Sequence, residues 1–212
     1  IRENKSSTDL NAIMTMMTNW PQYPQDDEFK VKFRTKEFKN QIARYPLKEI
    51  HYHKTGKKET NTTKIKDNAD IEHIMPQTLS QDWKDEITLM VRRNKKEESV
   101  KEEQKKNPNY DLKNIKMEIE KQEFSVSEAE IDEYQAQNYQ KLGNLTLLNS
   151  FKNKEILNFS FKKKCEKYKT DDLDMTKKLT EYPEWNDESI TKRQDDFTDD
   201  ALEIWDLINN RK

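Results

Sequence analysis

An α+β domain, mostly helical and built around two short strands, is what this sequence predicts, and three observations carry the prediction. Apolar residues recur at helical spacing over much of the chain, two short segments read instead as strands, and a long, charged, helix-prone stretch lies between them. The 212 residues suffice for one sizeable domain or one domain with helical flanks. With 38% charged and 32% hydrophobic residues and a mean hydropathy of −1.26, much of the chain must be solvated and a large dry core is not expected. A net charge of only −2, with four Trp and eight Tyr as anchors, favours a folded chain over a disordered one.

The elements follow in chain order. Leu10, Ile13, Met14 and Met17 place a helix over Thr8 to Trp20, ending near Pro21 and Pro24. From Phe29 to Ile50 the residues Phe29, Phe33, Phe38, Ile42 and Tyr45 stand at mostly helical intervals, with Pro46 as an expected kink or break. His51 to Asn68 is polar, contains Gly56 and reads as a hairpin or exposed loop. Ala69 to Met75 reads as a strand closed by Pro76. Trp83 to Gln140 carries mixed-sign runs of the kind that form solvated helix faces, and Asn107 with Pro108 is expected to divide it into two helices. Leu142 to Asn149 is the most strand-like segment, with Gly143 turning the chain near its start. A helix is expected from Lys152 into Tyr168. Trp185, Ile190, Phe197, Leu202 and Trp205 imply two final amphipathic helices, and Arg193 with Trp185 and Trp205 reads as a packing cluster. The predicted organisation is a helical scaffold or linker over 1–50, a core over 51–170 with the insertion 83–140, and C-terminal helices over 171–212 that pack on the core.

Composition also excludes. The single Cys165 leaves no disulfide framework and no Cys-rich zinc site, so a metal must use oxygen and nitrogen ligands. No stretch approaches the roughly 20 apolar residues of a membrane span and the start does not resemble a signal peptide, so a soluble, cytoplasmic protein is expected. Because the sequence begins at Ile1, it reads as part of a longer polypeptide. Charge is uneven: residues 152–169 hold seven Lys against two Glu, whereas from Asp171 onward there are thirteen acids against six bases. The first of these segments is the one suited to phosphate.

Polar groups gather where the strands should converge. His73 follows Glu72 in an apolar strand; alone, such a histidine reads as structural. Alternation puts Asp70 and Glu72 on one face and His73 on the other. The run Asp70-Ile-Glu-His-Ile-Met-Pro-Gln77 resembles the first half of an HNH nuclease motif, and Leu142-Gly-Asn-Leu-Thr-Leu-Leu-Asn-Ser-Phe-Lys-Asn153 resembles its second half. Two matched halves in the right order are more specific than either alone. With Asn158, Phe161, Lys164, Tyr168, Trp185, Ile190, Arg193 and Trp205 added, the chain from about Arg44 onward is similar to the C-terminal nuclease domain of GmrSD-type restriction and anti-phage defence enzymes, the charged insertion being unmatched in detail.

The resemblance implies a small ββα-metal core with helical flanks and a metal-dependent endonuclease acting on double-stranded DNA, such as phage or modified DNA. It also implies a nucleotide-sensing domain N-terminal to this region. Cutting both strands with one site per chain would call for a homodimer or two successive events. Phosphodiester hydrolysis needs a deprotonated water in line with the leaving oxygen and a cation to neutralise developing charge. In this reading His73 is the general base, Glu72 and Asn153 bind Mg²⁺ or Mn²⁺, and Asn144 orients the imidazole or the adjoining loop. Lys162 and Lys164 would contact the DNA backbone.

Two departures from the motif carry expectations of their own. Asn149 and Lys152 stand where many HNH enzymes have zinc-binding Cys, so no structural zinc is expected and Trp83, Leu145, Leu147, Phe161 and the terminal helices must hold the core by packing. Glu72 stands where Asp is commoner, which leaves Asp70 as an alternative acidic ligand. The competing function is a catalytically inactive helical domain that binds nucleic acid or serves assembly; an RNA-directed nuclease would share every one of these residues.

Overall fold

The computed structural model describes residues 26–56 and 69–205. The helix expected over Thr8 to Trp20 lies outside them, as does most of the polar stretch from His51 to Asn68.

Helix α1 (Asp26–Thr35) opens on Asp26, Asp27 and Glu28 and closes on Lys32 and Arg34, charges that complement the helix dipole at both ends. It buries Phe33, whose ring meets Phe29 at 5.5 Å and Phe38 at 5.3 Å. Helix α2 (Asn40–Thr55) buries Ala43, Leu47 and Ile50 on one face. Pro46 lies inside α2 and does not end it, and residues 51–55, expected in a loop, are helical. Pro46 forfeits one backbone hydrogen bond, but the turn that follows it packs Leu47 and Ile50 fully out of solvent, and this burial carries the helix through. It stops at Gly56, where φ is 62° and the amide returns to the carbonyls of Tyr52 and His53.

Strands β1 (Ala69–His73) and β2 (Leu145–Asn149) pair antiparallel, with Ala69 opposite Asn149 and His73 opposite Leu145. Leu145 to Leu148 are all buried because both faces of the sheet are covered. Leu148 joins a core of Trp83, Ile87, Ile131, Phe161, Tyr168 and Trp185. Leu145 and Leu147 join a second one of Phe33, Phe38, Leu47 and Phe197. The sequence's packing candidates Trp83, Leu145, Leu147 and Phe161 thus all lie in the interior.

Three helices, not the expected two, fill the insertion. Helix α3 (Gln81–Lys106), capped by Ser80, buries Trp83, Ile87, Met90 and Val91 on one stripe, and its outer half runs through solvent. The predicted break at Asn107 and Pro108 is present, and α4 (Leu112–Glu120) folds back to bury Ile115 and Ile119. Helix α5 (Glu128–Tyr139) begins at a reciprocal cap between Ser127 and Glu130. The helix expected over 152–168 is likewise two, α6 (Ser150–Ile156) and α7 (Phe161–Tyr168), parted at Leu157, a non-glycine residue with φ 33° and ψ −111°. Such a backbone costs on the order of 1–3 kcal/mol and persists only where its surroundings fix it. A short α8 (Asp174–Lys177) and a 3₁₀ turn lead to α9 (Asp187–Trp205).

Candidate active site

Three backbone features bring the polar residues together. The sheet register fixes the end of β1, the Asn149 side chain caps α6 by accepting from Phe151 N at 3.0 Å, and the strained turn at Leu157 sends α7 back beneath β1. Between β1 and α6 lies an open hollow of about 400 Å³ lined by Ile71, Glu72, His73, Pro76, Gln77, Asn153, Leu157 and Asn158.

His73 stacks on the Tyr139 ring, centroids 4.3 Å apart and planes 12° from parallel. Its Nε2 is buried with no hydrogen-bond partner among the described residues. Burial, and secondarily the charge of Lys164, push its pKa down to about 4, so the imidazole is neutral near pH 7. Asn153 faces the same hollow from α6 and donates from Nδ2 to the Ile71 carbonyl at 3.4 Å, which turns its Oδ1 end away from that bond.

Asn144 is fully buried and works as a four-way staple. Its Oδ1 accepts from Met75 N at 2.8 Å and from Trp185 Nε1 at 2.9 Å, while Nδ2 donates to the carbonyls of Met75 at 3.0 Å and Tyr139 at 3.1 Å. Of the two tasks expected of it, it performs the second: it fixes the loop after β1 and the Tyr139 backbone, reaching His73 only through the stacked ring.

Glu72 and Lys164 depart from expectation together. Lys164 was expected at the DNA backbone but is wholly buried, and its Nζ donates to Glu72 Oε1 at 2.5 Å and to the His73 carbonyl at 2.8 Å. It cannot meet phosphate from there. Phe161, Lys164 and Tyr168 recur at helical spacing, so the lysine lies on the inward face of α7, and Tyr168 Oη adds a second bond to the same Glu72 oxygen at 3.1 Å. Burial pushes the Glu72 carboxyl up and the Lys164 ammonium down, and their mutual attraction opposes both shifts. Lys162, by contrast, is exposed on α7.

Neither Tyr139 nor the buried role of Lys164 with Tyr168 was singled out from sequence. The second had a signal, a lysine in phase with Phe161 and Tyr168; the first had none, because Tyr139 lies in the unmatched insertion.

Among the described residues no group of three or more His, Cys, Asp or Glu side chains gathers at one point. The oxygen donors that line the hollow are the Glu72 carboxylate, whose Oε1 Lys164 and Tyr168 engage, and the Asn153 amide oxygen. Oxygen donors of this kind would suit a hard divalent cation completed by waters and substrate phosphate better than zinc.

No helix among the described residues is long and apolar enough to cross a membrane. No curated protein matches the sequence. A family model described as the C-terminal domain of GmrSD restriction endonucleases matches residues 23–200, which span the sheet, the hollow and most of α9. The chain belongs to that family, the C-terminal domains of restriction endonuclease-type nucleases.

Proposed function

We propose that this domain is a divalent-metal-dependent endonuclease of the HNH type, hydrolysing DNA phosphodiester bonds in the hollow between β1 and α6. The observation that carries the reading is that His73, whose Nε2 has no partner among the described residues, lines the same hollow as Asn153, which is wide enough for a phosphate group.

His73, neutral at working pH, takes the proton of the attacking water, and the Tyr139 ring keeps the imidazole plane fixed while it does so. Glu72 and Asn153 would hold Mg²⁺ or Mn²⁺, which when bound would neutralise charge developing on the phosphate. Lys164, by bonding both the Glu72 carboxylate and the His73 carbonyl, sets the distance between ligand and base, and Asn144 fixes the loop that follows. Exposed Lys162 supplies a cation for the DNA backbone.

The test is incubation of supercoiled plasmid with wild-type and His73→Ala protein in Mg²⁺, Mn²⁺ or EDTA, with nicked and linear forms separated on a gel. Metal-dependent cutting that falls about 100-fold or more in His73→Ala is the expected result. Equal cutting by both proteins overturns the assignment of the base. DNA binding with no cutting in any metal favours the second reading, a nucleic-acid-binding domain without activity. The observation on that side is the Lys164 ammonium, which already compensates the Glu72 carboxylate.

A further inference from the structure

The hollow has an apolar lip that the hydrolytic chemistry does not use. Leu157 is 65% exposed, is the only non-glycine residue with positive φ among the described residues, and lines the same hollow as His73 and Asn153. Phe159, two residues on, is 43% exposed.

The turn that presents them is held from beneath. Trp83, fully buried, donates from Nε1 to the Phe159 carbonyl at 2.6 Å, Phe159 N donates to the Ile156 carbonyl at 2.8 Å, and Leu157 N reaches the Asn153 carbonyl at 3.3 Å. A left-handed leucine, projected into solvent and fixed by a buried tryptophan, is a strained shape that the surrounding core maintains. Among the described residues none covers most of its side chain.

What would cover it is set by its neighbours. On either side of the turn, α6 and α7 carry exposed Lys154 and Lys162, for which no ion pair occurs among the described residues, and the hollow that Leu157 borders is the proposed phosphate site. An apolar side chain flanked by free cations and touching a phosphate site matches a nucleic acid whose bases have been parted. Proteins that kink duplexes insert residues such as Leu or Phe between base steps.

We propose that Leu157, backed by Phe159, is a wedge that enters the DNA base stack beside the scissile phosphate and unstacks one step, bringing that phosphate down to His73. The inference rests on the hollow being the DNA-cleaving site, and its test separates the two ideas.

Leu157→Gly removes the wedge and suits the left-handed backbone, so the variant folds; its thermal midpoint should equal or exceed that of the wild type. The first readout needs no cleavage. A duplex carrying 2-aminopurine at successive positions is titrated with His73→Ala protein in EDTA, and with the His73→Ala/Leu157→Gly double variant. Fluorescence should rise at one step with the first protein and stay flat with the second.

The second readout is cleavage, where Leu157→Gly should lose about tenfold on intact duplex and recover most of that on a duplex with a mismatch at the same step. A flat signal with both proteins overturns the wedge whether or not the wild type cuts. So does Leu157→Gly activity equal to wild type on intact duplex. Absence of cutting by the wild type, with the fluorescence rise intact, would remove the nuclease reading and leave the wedge.

Discussion

The surroundings of β1 and the outer hairpin of α3 and α4 use the same charged residue types to opposite ends. At the strand, Lys164 and Glu72 have side chains 0% and 6% exposed, and the ammonium also holds the His73 backbone. On the hairpin side, Arg93 meets Glu184 with both partners more than 40% exposed, and half-buried Lys96 meets a Glu120 side chain that is 76% exposed. A charge in water is free to part from its partner at little cost, so such pairs decorate a surface; a charge sealed in the core must keep its partner and therefore fixes whatever backbone it also touches. The site's geometry depends on the few buried charges, not on the many exposed ones.

The largest effect should come from breaking the buried pair. Lys164→Met leaves the Glu72 carboxylate uncompensated and should cost about 3–5 kcal/mol in urea unfolding, with Glu72→Gln added to it recovering a good part. A loss no greater than that of a surface pair would end the contrast. Next comes Asn144→Ala, which strands buried partners at Met75, Tyr139 and Trp185 and should cost about 2–4 kcal/mol.

A pH series sharpens the same point. The pKa of His73 falls from 6.5 in the unfolded chain to about 4 in the fold, so between those values the unfolded state binds the proton that the folded state refuses. This contribution is whole above pH 6.5 and is lost as pH falls toward 4, by roughly 2–3 kcal/mol. His73→Gln should remove that slope when wild type and variant are compared by their urea midpoints. The smallest effect belongs to Arg93→Ala, expected to change stability by less than about 1 kcal/mol despite its two-pronged bond to Glu184.

Much of this fold could be read in advance because its signals are local. The two strands and the break at Asn107 and Pro108 follow from short patterns, the placing of His73 and Asn153 at one hollow was implied by the resemblance of two motif halves, and the Ser127-x-x-Glu130 cap was present to be read as a helix start. What could not be read depended on distant partners. Pro46 sits inside a helix because Leu47 and Ile50 find a core supplied by β2 and α9. The break at Leu157 carries no glycine or proline and is enforced from Trp83, far back in the chain. Lys164 reads as a surface lysine among neighbours that are surface lysines, and only its phase on α7 sets it apart.

Gly143 shows how the site depends on the order in which the chain is made. A Cβ at this glycine would lie 2.2 Å from the Ile190 carbonyl, so α9 rests directly on its backbone. Arg193 donates to the carbonyls of Gly143 and Leu145 at 2.6 and 2.7 Å, and Gln194 accepts from the Gly143 amide at 2.7 Å. These groups lie about 50 residues downstream of β2. On a translating ribosome that separation is on the order of 3–10 s. Through that interval His73 and Asn153 have already been synthesised, yet the strand that aligns them lacks its brace. On the proposed nuclease reading, the site therefore stays unbraced while the chain is nascent and is set only when the helix over 187–205 closes.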